Sequence, residues 1–341
     1  MKGLLCSVAL LLALGLLTAC TSPTQGQPNS PTPNVSLTPG ATPPTPNVTP
    51  TAGQPNSPTP NATPTPGATP PTPGETRLPT PQQKGVIVVY HPIYLTVYSE
   101  EAAARPGRIE AILKELQGVP GFIFTEPEPA KVEDIRRVHT QAQIDRVKMN
   151  DDGFLYQIAL LSAGGAVLAS EVAMAGEVSF GLIRPPGHHA SPDSSWGFCY
   201  FNNIAVAVAK LLDEKKIQSA LIVDFDLHFG DGTVNIFKDD PRVTYFNVVA
   251  QEGDRTLLLQ TLEAFLSRTK GYDILAVSAG FDAGKEDWGR IFEIQDYTTM
   301  GTLLKRAAER NSGGKRFAVL EGGYNQNVLG KNVKAFLDGF R

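Results

Sequence analysis

Cysteine is nearly missing from this 341-residue chain: Cys6 and Cys20 lie near the amino terminus and Cys199 far from both. From residue 85 onward there is one thiol and no internal disulfide, which excludes a disulfide-stapled module and leaves stability to a core. An excess of one charge is missing too. Lys plus Arg number 30 against 34 Asp plus Glu, a formal net charge of −4. That balance gives no footing for nucleic-acid binding. The apolar stretch at residues 8–17 is too short to be a membrane span. From residue 21 to about 84 even ordinary apolar bulk is scarce, and Pro, Thr, Ser, Asn and Gly take its place. No core can form from such a segment.

The amino terminus has its own pattern. Lys2 is a short basic start, the apolar run follows, and then comes Leu17-Thr18-Ala19-Cys20. A small residue before cysteine at this point resembles the lipobox of bacterial lipoproteins. The resemblance implies cleavage before Cys20, lipid on Cys20, and an exported, membrane-anchored, extracytoplasmic protein. An ordinary secretory signal with a chance cysteine is the alternative. The Pro-rich segment contains a duplication: "GQPNSPTPN" at 26–34 recurs at 53–61, and "GATPPTP" at 40–46 recurs at 67–73. Such chain is semi-extended, at about 3 Å per residue where it is polyproline-like, and reads as a spacer. Three glycosylation sequons, at Asn34, Asn47 and Asn61, arise with the repetition. The expected organisation is a signal at 1–19, a lipidated Cys20 with its linker to 84, and one domain at 85–341, long enough for a single large core.

In that domain short β-branched runs alternate with longer amphipathic ones. Strands are expected at 86–90, 121–125, 179–184, 220–226, 243–249, 274–280 and 317–321. Helices are expected at 108–117, 156–175, 201–215, 257–268 and 297–309. The alternation predicts an α/β fold with a mainly parallel sheet covered on both faces. Sites in such folds form beyond the carboxyl ends of strands.

Chemistry stands at those ends. The strand at 179–184 runs into "RPPGHHA", where His188 and His189 are two of the chain's five histidines. Adjacent residues diverge on a strand or helix, so two neighbouring imidazoles share one site only from an irregular backbone, which Pro185, Pro186 and Gly187 provide. The strand at 220–226 runs into "DFDLHFGDG". Asp224, Asp226 and His228 alternate, and on a continuing strand all three face one side. Asp plus His suits Zn²⁺ or a similar divalent ion. Asp282 follows the strand at 274–280, and Tyr324 follows the one at 317–321 on a glycine-flexed turn. Singly these have bland readings: Asp224 and Asp226 as caps of a helix near Asp231, His228 as a structural histidine, Tyr324 as a packed turn residue. Jointly those readings require independent accidents at four strand ends.

The segments "RPPGHHA", "GFCYFNNIAVA" (197–207), "VDFDLHFGDGT" (223–233), "SAGFDAG" (278–284) and "EGGYN" (321–325) make the domain resemble the histone deacetylase superfamily, which includes acetylpolyamine amidohydrolases and acetoin-utilisation-type proteins. "RPGRIEAI" (105–112) and "VHT" (138–140) add weaker matches. The resemblance implies a three-layer α/β/α, arginase-like fold and a zinc-dependent deacetylase site, with Fe²⁺ or Co²⁺ as other metals. It implies Asp226, His228 and Asp282 as metal ligands. His188 and His189 would be the catalytic pair, oriented by Asp224 and Asp231. Tyr324 would bind the substrate carbonyl, and Gly197 and Phe198 would line the channel. It also implies a potassium site beside Asp224, with Asn247 where serine is usual. The implied substrate is a small acylated amine or acyl-lysine peptide.

Two departures bear on that reading. Phe229 replaces a frequent histidine, and the segment after the strand at 243–249 passes through "AQEGDRT" directly into a helix, without the longer loop whose aromatic residue walls the channel. The pocket is therefore expected to be more open there, or completed by another chain. A non-catalytic metal-containing binding protein and a ureohydrolase-type enzyme are the alternative functions.

Overall fold

The computed structural model describes residues 85–149, 153–251 and 253–341. The signal, Cys20 and the linker lie outside the described residues.

Seven strands form one wholly parallel sheet: β1 (Val86–Val89), β2 (Phe122–Thr125), β3 (Val178–Gly181), β4 (Ala220–Asp224), β5 (Val243–Asn247), β6 (Ile274–Ala279) and β7 (Arg316–Leu320). Their order is β2-β1-β3-β7-β6-β4-β5. All sit where the sequence predicts strands, some a few residues shorter. Side chains alternate between two cores. Ile87 and Val89 join one and Val86 and Val88 the other; Ile274 and Ala276 face the first, Leu275, Val277 and Ala279 the second. A period of two with both faces apolar is what a doubly covered sheet demands.

The first core is covered by α4 (Phe154–Met174) and α5 (Asn203–Asp213), with α2 (Val132–Ile135) and α3 (Gln141–Met149) beside them. Helix α4 is apolar all round because it lies under other elements. The second core is covered by α1 (Arg108–Leu116), α7 (Arg255–Arg268), α8 (Ile294–Asn311) and α9 (Leu329–Phe340). The short α6 (Asp231–Phe237) follows β4. The result is the expected three-layer α/β/α architecture. Three helices were not expected from the sequence: α2, α3 and α9. The first two are short, and α9 owes its place to packing on α8 and α1.

The sheet order matters most for function. β3, β7, β6 and β4 are consecutive neighbours, so the loops that follow them emerge side by side although their residues span 182–324 of the sequence.

Candidate active site

Glu321, immediately after β7 and fully buried, shapes the tandem-histidine loop. Its Oε2 accepts the N–H of Gly187 at 2.7 Å and of His188 at 3.2 Å, and its Oε1 accepts from Ser278 Oγ at 3.2 Å. Burial pushes its pKa up to about 7. The Arg184–Pro185 peptide is cis. The turned backbone sets both imidazoles into one site, ring centroids 4.1 Å apart.

Each histidine has its own carboxylate. His188 Nδ1 lies 3.0 Å from Asp224 Oδ2, which also accepts the Tyr245 hydroxyl at 2.9 Å. His189 Nδ1 lies 2.6 Å from Asp231 Oδ1. The other oxygen of Asp231 accepts the Trp196 indole N–H at 2.9 Å, and that indole lies over His189 at 3.8 Å between centroids. Gly197 has φ of +59°, and a side chain there would run into the His189 ring; only glycine fits. Burial presses His188 towards neutrality, but Asp226 and Asp224 outweigh it and hold its pKa well above the usual value. Burial, and then the charge on His188, lower His189 to about 4.

His139 fixes the neighbouring loops. Its Nδ1 faces the Ser191 carbonyl at 2.9 Å and its Nε2 accepts from Asn202 N–H, the N-cap residue of α5, at 2.8 Å. Burial lowers its pKa to about 4. The folded state therefore refuses a proton that the unfolded chain takes up below its pKa of about 6.5. The neutral arrangement is at full strength above about pH 6.5 and loses about 3 kcal/mol as pH falls through 4. In urea titrations His139→Gln should flatten this part of the stability profile; an unchanged slope would show that other groups set it.

Asp226, His228 and Asp282 bring one donor atom each to within 4.8 Å of one another. His228 Nδ1 is 3.2 Å from Asp226 Oδ1 and 3.0 Å from Asp282 Oδ2. Donors about 2.0–2.1 Å from a tetrahedral centre stand roughly 3.3 Å apart, so these edges fit a divalent ion. The chemistry fits as well. Asp282 Oδ2 is buried and no hydrogen-bond donor is aligned on it, a costly state without a cation. The opposite oxygens are used to orient the ligands: Asp226 Oδ2 accepts Gly322 N–H at 2.7 Å and Asp282 Oδ1 accepts Leu227 N–H at 3.0 Å. Such outer contacts tune metal ligands.

The expectation that Asp224, Asp226 and His228 project together from a strand needs correction. β4 ends at Asp224. Asp224 Oδ1 accepts Asp226 N–H at 3.0 Å and Asp226 Oδ1 accepts His228 N–H at 2.9 Å. Two successive side-chain-to-backbone turns replace the ladder. They send Asp224 to His188 and the other two to the metal cluster. Nor do these aspartates cap α6, whose N-cap is Gly230.

A cavity of about 130 Å³ is lined by His188, His189, Gly197, Phe198, His228 and Tyr324, together with Pro186, Trp196, Trp288 and Gly322. Tyr324 is set by Asp287, whose Oδ2 accepts the N–H groups of Tyr324 and Asn325 at 2.8 and 2.7 Å. Burial and the charges of Asp226 and Asp282 hold its phenol well above the usual pKa, so it stays a donor. The Arg108 guanidinium lies 5.4 Å from the ring centroid. No described residue of the segment between β5 and α7 lines the cavity. Sequence reading missed Trp196, Trp288, Asp287, Glu321 and Tyr245.

Known proteins agree with this architecture. The family model for the histone deacetylase domain matches residues 102–255. A probable deacetylase of Methanothermobacter thermautotrophicus is 30% identical over 309 residues, covering 74% of this chain and 90% of that protein. A histone deacetylase-like amidohydrolase of Pseudomonas aeruginosa is 30% identical over 272 residues, covering 63% and 70%. The chain therefore belongs to the histone deacetylase family. It is a deacetylase or amidohydrolase of that family, which implies a divalent metal. In fold it is similar to the crystal structure of the HDA15 HD domain, with a TM-score of 0.63 at 24% identity over 76% of this chain and 90% of that one.

Proposed function

We propose that the protein is a zinc-dependent hydrolase that removes acyl groups, in the first place acetyl, from a small acylated amine or an acyl-lysine peptide. The observation that carries this reading is the convergence of three things on one cavity: the His189–Asp231 pair, the Tyr324 phenol and the Asp226/His228/Asp282 cluster. Zinc held by that cluster would supply a Lewis acid for the amide carbonyl and lower the pKa of water; Fe²⁺ or Co²⁺ suits the same donors.

The chain's own groups supply the rest. His189 is neutral at pH 7, and Asp231 occupies its Nδ1, so Nε2 is the atom that takes the proton of water. His188 is held towards its cationic form and serves as the electrostatic or proton-donating partner for the departing amine. Tyr324 donates to the oxyanion as the carbonyl becomes tetrahedral. The C–N bond breaks, the amine takes up a proton and the acyl group leaves as a carboxylate. A potassium ion beside Asp224 is a minor part of the reading, because that carboxylate already receives three protein groups.

The test is acetate release from acetyl-lysine and acetylpolyamine probes by the zinc-loaded protein. Tyr324→Phe should lower kcat by about 10²–10³-fold with metal retained; full activity in that variant would sink the mechanism. Zinc binding without turnover on a broad acyl-amine panel would favour a non-catalytic binding protein. Two ions per chain would favour ureohydrolase-type chemistry, although the described residues hold one three-ligand cluster.

The same proposal places the protein outside the cytoplasm, anchored through lipid on Cys20, with the Pro-rich segment as spacer. Mass spectrometry of the mature amino terminus tests it: an unmodified terminus at another residue would refute the anchor.

A further inference from the structure

We infer that Trp288 selects substrates by the shape of their amine, admitting slender unbranched primary amines and rejecting branching at the carbon that carries the nitrogen. The inference rests on the amide-hydrolase reading above and names the specificity of that site.

The direction of the cavity comes first. Its inner end is closed by buried groups, His188 and Pro186 among them, while Trp196 and Trp288 at the other end are 55% and 50% exposed. A bound amide thus turns its acyl group inward and sends its amine out past the indoles. Trp288 stands on that path. Its ring lies flat on Tyr324, centroids 4.0 Å apart at 27°, and meets the His228 ring edge-on at 6.2 Å. It spans from the proposed oxyanion donor to a proposed metal ligand. The first carbon of the amine passes directly against it.

The wall is held firmly. Asp287 Oδ1 accepts the Trp288 N–H at 2.8 Å while Oδ2 holds Tyr324, so one carboxylate ties wall and phenol together. Gly289 N–H donates to the Asp282 carbonyl at 2.7 Å, and a Cβ at Gly289 would stand 2.7 Å from Leu227 Cδ1 and 2.8 Å from Ala283 Cα. The loop can pack this closely only with glycine there, and its position is coupled to the metal cluster. Beyond Trp288 and Tyr324 lies a larger basin of about 640 Å³, bordered also by Arg105 and Arg290. The indole is part of the partition between the two spaces. The short β5–α7 segment contributes no wall of its own among the described residues, so this loop, not that one, restricts the mouth.

N-butylacetamide and N-cyclohexylacetamide differ in the predicted feature. The zinc-loaded wild type should prefer the first in kcat/KM. Trp288→Ala should shrink that preference by about tenfold or more, chiefly through KM of the branched amide, and Trp288→Phe should fall between. An unchanged ratio in a folded, zinc-loaded Trp288→Ala protein would overturn the inference. If the alanine variant loses fold or metal, Trp288→Phe carries the comparison with the same expected direction. A second readout needs no turnover. The chain has two tryptophans, so in Trp196→Phe the emission comes from Trp288 alone. N-butylacetamide should perturb it at about tenfold lower concentration than the branched amide; equal responses would overturn the inference. Absence of hydrolysis of either amide would sink the reaction and leave the titration to decide the wall.

Discussion

Replacement of His189 by alanine is expected to lower kcat by about 10²–10⁴-fold with metal content unchanged. The imidazole is not among the clustered ligand atoms, so the ion should remain. What is lost is a base whose pKa of about 4 keeps it unprotonated at pH 7 and whose orientation is fixed from two sides. Asp231 accepts from its Nδ1, and the Trp196 indole, itself donating to Asp231, covers its face. Asp231→Asn should follow in the same direction with a smaller loss, because a neutral amide no longer dictates the tautomer. Single-turnover acetate release and elemental analysis on the same samples decide the matter. Loss of metal together with activity would move His189 into the coordination shell, and retention of full activity would remove it from catalysis.

Asp282→Asn is expected to abolish metal binding and lower activity by roughly 10³-fold or more, since the Lewis acid is worth several kcal/mol of charge stabilisation. Asparagine is isosteric and keeps the acceptor for Leu227 N–H, so the loop should survive. Its effect on the metal-free protein should run the other way. Burial, and then the Asp226 charge, raise the Asp282 carboxyl to about 6, so an amide there relieves a buried like-charge contact. Melting curves with and without added Zn²⁺ give the signature. The wild type should gain stability from the ion, whereas the variant should melt at the wild-type apo temperature or higher in both conditions. A zinc-dependent shift in the variant would refute the assignment of Asp282 as a ligand.

Much of the site is legible in the sequence because each part sits just after a β-branched run. His188, His189, Asp226, His228, Asp282 and Tyr324 were all placed near strand ends by local pattern alone. Distance along the chain hid the rest. That Trp196 both covers His189 and donates to Asp231 depends on the loops after β3 and β4 meeting across the intervening strands, and strand order is not written in any local period. Asp287 reads as an ordinary loop aspartate; its importance comes from N–H groups 37 and 38 residues away. Glu321 was in view within "EGGYN", yet a buried carboxylate that accepts main-chain N–H groups has no signature apart from its burial. The reading failed most clearly at β4, where alternation suggested one face. Aspartate side chains competed with the ladder and ended the strand early. Helix α9 was missed for a different reason: Leu329–Phe340 contains two glycines, which lower helix propensity, and packing overrides it.

The position of β7 governs when the enzyme comes into being. It is the last of the described strands in sequence but lies in the middle of the sheet, between β3 and β6. Until residues 316–320 are in place, β3 has no partner on that side, and the tandem-histidine loop lacks Glu321. A partly synthesised or carboxyl-truncated chain would carry every proposed metal ligand and both catalytic histidines in its sequence and still have no assembled centre. Closing a sheet through such distant segments is slow compared with local folding. Activity therefore arrives as a late, all-or-none event in assembly, and a truncation after residue 315 should be as silent as the loss of any single ligand.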